Sequence, residues 1–271
     1  MTTRGRIWTL VAWAAGLLAI VPIVWMILTS LHTEPQAATN PPSVAAHLTV
    51  AGYQAFFSNS FATWAALINS VIASVASTGL VLVLAVPAAY ALSIKPVRKW
   101  TDVLFFFLST KFLPVVAGLL PLYLVASRAG LLDQIGFLVL LYTAMNLPIA
   151  VWMMQSFLAE VPREMLEAAA LDGAGLIKTL TRVVAPVVRP GLAATSLICF
   201  IFSWNELMLA RTLTATVAGT APVYLTSFVT SQGLFLAQLC VASTVISLPV
   251  LIAGFAAQER LVQGLSMGAI R

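Results

Sequence analysis

Apolar residues in this chain gather in long runs separated by short polar stretches, without the tight alternation of soluble strands. A helix needs about 20 such residues to cross a bilayer core. Six stretches reach that length: Ile7–Ser30, Ala65–Ile94, Val103–Ala126, Ile135–Leu158, Gly191–Thr212 and Ala237–Gln258. The first follows Arg4 and Arg6, as a signal peptide would. Its 24 residues exceed the roughly 7–15 of a signal's apolar region, so it reads as a retained span. Prolines fall inside the runs at Pro22, Pro87, Pro114, Pro121, Pro148 and Pro249. They predict bends, either to pack helices or to hinge them.

The longest polar interruption, Glu160–Pro190, lies between the fourth and fifth runs and holds eight of the 23 charged residues. Glu160, Glu164 and Glu167 recur at helical spacing on one face, and Ala168, Ala169 and Ala170 favour helix with little bulk. Gly173 and Gly175 are expected to end that helix, because glycine accepts the left-handed backbone of a helix stop. A second helix over Leu176–Ala185 is expected to end at Pro186 and Pro190. A small-sided helix with an acidic edge is a shape that another protein can grip.

Composition settles the class. The chain is 61% hydrophobic and only 8% charged, with a mean hydropathy of +0.99, whereas soluble domains carry about 25% charged residues. It is an integral membrane protein, and the net charge of +5 reflects loops on one side rather than a nucleic-acid surface. With the N-terminus inside, that side holds eleven basic residues, including Arg163, Lys178, Arg182 and Arg260. The outside holds two, Arg128 and Arg211, with Lys111 left within a span. Basic residues favour the cytoplasmic side, so both termini and Glu160–Pro190 are predicted to be cytoplasmic. With no internal repeat, the chain reads as one all-α membrane domain of six helices: residues 1–64 form the first span and external loop, and 65–271 the core.

Chemistry of the hydrolytic or redox kind is missing. There is no phosphate-binding glycine loop, so ATP is not bound by that route, and no catalytic residue or cofactor is expected. His32 and His47 share an external loop with Glu34 as its only full charge, a poor metal set. Cys199 and Cys240 sit in apolar runs and read as small buried residues. Polar groups inside spans are costly and therefore informative. Lys111 is the costliest; snorkelling, pairing with Glu206 and lining an aqueous cavity are the alternatives. Asn205 and Glu206 beside Trp204 suit sugar hydroxyls, which want hydrogen bonds and an apolar ring. Asn69, Ser70, Ser74, Ser77 and Thr78 form a polar seam on the second span, and Asn146 precedes Pro148 on the fourth. Asn69, Lys111, Asn146, Trp204, Asn205 and Glu206 are the candidate translocation path, with helix-to-helix hydrogen bonding the alternative for the seam.

One motif carries a family resemblance. Glu167-Ala168-Ala169, three residues, Gly173, nine residues and then Val183-x-Ala185-Pro186 resembles the EAA signature of bacterial ABC-importer permeases, with Val183 for the family's Ile and Ala185 for its Leu. Leu67-Ile68-Asn69-Ser70, Gly130-Leu131-Leu132-Asp133, Asn146-Leu147-Pro148 and Phe202-Ser203-Trp204-Asn205-Glu206 are similar to the carbohydrate-uptake, MalG-like branch. The resemblance implies the type I importer fold in the bacterial cytoplasmic membrane and a sugar or related solute. Lys111, unusual beside that pattern, marks a different or anionic one. It implies a second permease subunit, two ATPase subunits that bind ATP and Mg, and an extracytoplasmic binding protein. About 160–175 would be the coupling helix, with Glu164, Glu167, Ala168, Ala169, Asp172, Gly173 and Pro186 at the ATPase interface. The tail Gln263–Arg271 would also reach the ATPases. The rivals are a self-contained ion-coupled transporter, with Lys111 and Glu206 as its only midplane charges, and a membrane scaffold with no transport role.

Overall fold

The computed structural model describes residues 3–39, 47–58, 60–94, 98–112, 114–231 and 233–269. Lys95 and Arg271, counted above on the inner side, lie outside them. The first half of the chain holds α1 (Thr3–Ser30), α2 (Glu34–Ala37), α3 (Ala51–Ser58), α4 (Ser60–Ser93), α5 (Trp100–Ser109), a 3-10 turn at Thr110–Phe112 and α6 (Val115–Arg128). Then come α7 (Ile135–Leu158), α8 (Arg163–Leu171), α9 (Leu176–Lys178), a π-helical stretch Thr179–Val184 and α10 (Ala185–Val187). The chain continues through α11 (Arg189–Trp204), α12 (Met208–Leu213), α13 (Ala221–Leu225), a 3-10 turn Thr226–Phe228, the antiparallel pair β1 (Val229–Thr230) and β2 (Gly233–Leu234), and α14 (Leu236–Ala269).

Among the described residues, four helical segments are long and apolar enough to cross a membrane, and up to six when each of two bent helix pairs is taken as one span. The third apolar run is not one straight span. α5 and α6 meet at 86°, because Pro114 sits in extended backbone (φ −62, ψ 120) and a new helix starts after it. The fifth run also breaks, between Trp204 and Met208. Pro186, by contrast, does not stop its helix. The wider π-helical register before it relieves the clash of a proline ring with the preceding turn, and helix continues to Val187. The 89° bend comes at Val188, and Pro190 sits in the first turn of α11, where its missing N–H costs nothing.

The chain divides into two compact units, Met1–Trp64 with Tyr224–Leu248, and Ala65–Val223 with Pro249–Arg271. Residues 224–248 therefore group with the N-terminal residues 1–64 and meet the stretch that follows the first span. Tyr224 explains part of this: its ring meets Phe56 edge-on at 6.2 Å and its hydroxyl pairs with Thr63 Oγ1 at 2.9 Å. Glu34 explains more. Its carboxylate accepts the amides of Ala237 (3.2 Å) and Gln238 (2.8 Å) in the first turn of α14, where helix N–H groups lack partners and negative charge is favoured.

In the second unit α7 is the axis. It is apolar all round, as a membrane span is, and three apolar clusters follow one another along its buried side. Leu138 and Tyr142 pack with Ala73 and Leu209; Ala150 and Val151 with Val81 and Cys199; Met154 and Leu158 with Tyr90 and Val184. Within a bilayer, close fit rather than removal from water holds such helices together. The fit is tightest where Gly191 of α11 meets Phe157 of α7: a Cβ at Gly191 would overlap the ring. The 24 residues of α7 span about 36 Å, which puts the loop before it and α8 after it at opposite ends of the unit.

Candidate coupling helix, polar seam and outer clamp

α8 forms because Arg163–Leu171 contains strong helix formers and Pro162, extended at ψ 134, precedes it. It is shorter than the sequence suggests for the same reason. Glu164 lies in the first turn, where its charge favours the helix dipole. The far end closes on Gly173, with φ +67, as the amides of Gly173 and Ala174 reach back to the carbonyls of Ala170 (3.1 Å) and Ala169 (2.9 Å). Glu164, Glu167, Ala168, Asp172 and Gly173 are exposed, as is Pro186 further on. Ala169 is buried: it packs α8 onto the unit instead of facing outward. A cavity of about 770 Å³ opens beside the helix, lined by Arg163, Glu167 and Ala170 with Tyr90, Trp100 and Gln155. Leu171 is 90% exposed and Ile177 78%. Sequence reasoning missed both, although an apolar residue between three alanines and Asp172 was the available signal.

The path candidates separate into two groups. Asn146 is fully buried and donates Nδ2 to Ser203 Oγ at 2.9 Å, which in turn pairs with Ser77 at 3.0 Å. That bond set ties α4, α7 and α11 together, the helix-to-helix alternative for this part of the seam. Beside it, Lys111 donates Nζ to the Met145 carbonyl at 2.7 Å and stands 5.8 Å from the Phe202 ring centre. Lys111 does not pair with Glu206. The Glu206 carboxylate instead accepts the amides of Leu209 (2.9 Å) and Ala210 (3.1 Å), starting α12 after the break. Trp204 is buried and stacked on Phe200, so its ring is occupied by protein. Asn205, exposed at the break, donates to the Ile201 carbonyl at 2.9 Å and ends α11. Interrupted helices at membrane depth occur where backbone lines a cavity or is covered by protein, and Lys111 and Asn205–Glu206 sit at the two interruptions.

Asn69 belongs elsewhere. Its Nδ2 donates to the carbonyls of Val217 (2.7 Å) and Gly219 (3.0 Å), and its neighbour Ser70 accepts the Ala221 amide at 2.8 Å. The same segment is held by Asp133, at φ +56, which accepts the amides of Ala215, Thr216, Val217 and Ala218 at 2.8–3.0 Å and the Thr216 hydroxyl at 3.3 Å.

Residues 81–267 match the family described as binding-protein-dependent transport system inner membrane component. The chain belongs to that family. It is 34% identical over its whole length to a probable ABC transporter permease of Sinorhizobium fredii, covering 97% of that protein. It is 31% identical to the sulfoquinovosyl glycerol transport permease SmoH of Agrobacterium fabrum, with 93% of this chain and 89% of the relative covered. To the trehalose transport permease SugB of Mycobacterium tuberculosis the identity is 30%, with 93% of both covered. The fold is similar to the crystal structure of a bacterial ABC transporter that imports the acidic polysaccharide alginate: TM-score 0.77, 23% identity, covering 96% of this chain and 99% of the other. This permease is therefore a multi-pass inner-membrane subunit of an ABC importer. Its EAA motif lies within the matched stretch. Membership sets aside the ion-coupled and scaffold readings, and Glu206, a supposed ion ligand, is already committed to two amides.

Proposed function

We propose that this permease imports a sugar or sugar derivative, in a complex with a second permease, two ATPases and an extracytoplasmic binding protein. Relatives over most of the chain are named for sulfoquinovosyl glycerol, trehalose and diacetylchitobiose, so the cargo is a sugar-like solute that the binding protein delivers. Arg163–Leu171 is the coupling helix. One observation carries that assignment: a helix closed off by its own backbone presents exposed Glu167 next to Leu171 and Ile177, two large apolar side chains that are exposed on a polar loop. Apolar residues beside a charge that can form an assisted hydrogen bond are the ingredients of an interface hot spot.

The chain itself makes and breaks no bonds. ATP and Mg belong to the partner subunits, whose closure pushes on α8. The motion passes through the π-helical stretch to α11, which meets α7 at Gly191 and ends at Asn205 and Glu206. A change at the coupling helix thus reaches the interrupted backbone of the path by one continuous segment. The cytoplasmic placement of α8 rests on the eleven-to-two distribution of basic residues.

The test is to tag the chain in its native membrane, extract it gently and identify what co-purifies. Recovery of an ATPase, a second permease and a binding protein that is stabilised by a sugar is the expected result. A chain recovered alone that still supports uptake driven by an ion gradient would overturn the proposal.

A further inference from the structure

The short helix α12 is held by an acidic residue at each end. Glu206 takes the amides of Leu209 and Ala210 at its start. At its end the Asp133 amide donates to the Leu213 carbonyl at 2.8 Å, while the Asp133 side chain gathers the four amides of Ala215 to Ala218. Asn69 and Ser70 hold the segment from the other side. Asp133 adopts a left-handed backbone, a strained state for a residue that is not glycine, and such strain persists only where the surroundings enforce it. At the tip of the clamped segment Val217 is 71% exposed. The clamp stands at the end of α7 away from α8, the outer end if α8 faces the cytoplasm.

We infer that Asp133 is a positioning residue for transport: it fixes the segment 214–221 and α12 as one rigid piece, so that engagement at the outer face is transmitted to the backbone break at Asn205 and Glu206. The inference rests on the preceding reading that a binding protein engages that face. A flexible segment would absorb the contact, and part of the binding free energy would be spent on ordering it. A segment with four successive amides on one carboxylate passes displacement to α12 directly, and α12 begins on Glu206.

D133N tests this with almost no change in size. An amide side chain has one acceptor oxygen and turns an NH2 toward amides that are themselves donors, so about half the clamp opens. The readout is ATP hydrolysis by the purified, lipid-reconstituted complex, titrated with the binding protein that co-purifies with it, loaded with the sugar that stabilises it. The expected result is that half-stimulation needs about tenfold more binding protein, while basal hydrolysis and subunit composition are unchanged. A merely structural role would lower the yield of complex or the maximal rate at constant half-stimulation. A double variant, D133C with T216C, covers the case in which D133N does not assemble, since those side chains touch at 3.3 Å. Oxidised, it should behave as the native complex; reduced, it should resemble D133N. Unchanged half-stimulation in D133N, or oxidised and reduced double variants that behave alike, would overturn the inference. If the native complex is not stimulated by the binding protein at all, the preceding reading fails and this one falls with it.

Discussion

At one end of α7, Asp133 is met by four amides and a hydroxyl, and Asn69 and Ser70 complete the set. At the other, Glu167 projects from a helix whose C-terminal end is closed by its own backbone, with Leu171 and Ile177 left in the open. The same residue types, a carboxylate with apolar neighbours, thus do opposite things. One carboxylate is consumed in making a rigid piece, and the other is held out for something not in the chain. A polar group satisfied internally builds structure, while one kept exposed beside apolar residues is available for recognition.

Reversing the charge at the open end should have the largest effect. Glu167→Arg places a cation where the interface takes an anion; losing one partner of such a pair costs about 2–5 kcal/mol, or roughly 30-fold and more in ATPase capture. Uptake should fall accordingly, with the protein still in the membrane, as counted in parallel uptake and membrane-fraction assays. Uptake at the native level would remove α8 from the interface.

Leu171→Ala should weaken recovery of the ATPase by about tenfold, within the range of a moderate hot spot. An exposed position costs the fold only about 0.5 kcal/mol or less, so the melting temperature should hold. If Leu171 faces lipid or solvent throughout, recovery will not change.

Gly191→Ala acts on the fold rather than on recognition. A methyl group overlapping Phe157 should cost about 1–3 kcal/mol, a drop of several degrees in the thermal midpoint of the reconstituted chain at about 2–4 °C per kcal/mol. An unchanged midpoint would mean the two helices stand further apart.

The closed end should be the least responsive. Burial alone would raise the Asp133 carboxyl, but the amides of Ala215, Ala218, Val217 and Thr216 outweigh it and hold the group well below the usual carboxylate range. A carboxyl lowered by folding contributes its full stability above its unfolded value, about 3.9, and loses it as pH falls from there toward the folded value. The difference in thermal midpoint between the native chain and D133N should therefore be flat from about pH 7 to 5 and shrink only below about pH 4. A difference that shrinks above pH 5 would mean the clamp is not formed.

How legible this was in the sequence depends on the range of the interaction. Spans are written in consecutive residues, and all six apolar runs are helical over most of their length. Gly173 closes α8 as expected, because a helix stop is local chemistry. The bend at Pro114 was marked by its proline, though not its 86° extent, whereas the break after Trp204 has no such marker and was hidden inside an apolar run, where hydropathy averages over a turn. The clamp was invisible: Asp133 finds its amides 82–85 residues further on, and nothing near it marks them as partners. Asn69 and Trp204 were ambiguous for a related reason. A polar or aromatic side chain within a span reads the same whether it faces a solute or another helix, and Asn69 holds a loop while Trp204 lies under Phe200.

Gly191 against Phe157 carries one more consequence. Held this closely at Gly191 and tied again by Asn146 to Ser203, α7 and α11 cannot slide past one another and behave as one lever. Gly191 lies in the first turn of α11, and the break at Asn205 follows directly on the other end of that helix. On the proposed reading, a tilt delivered from the α8 side is carried along α11 to that break without being absorbed on the way.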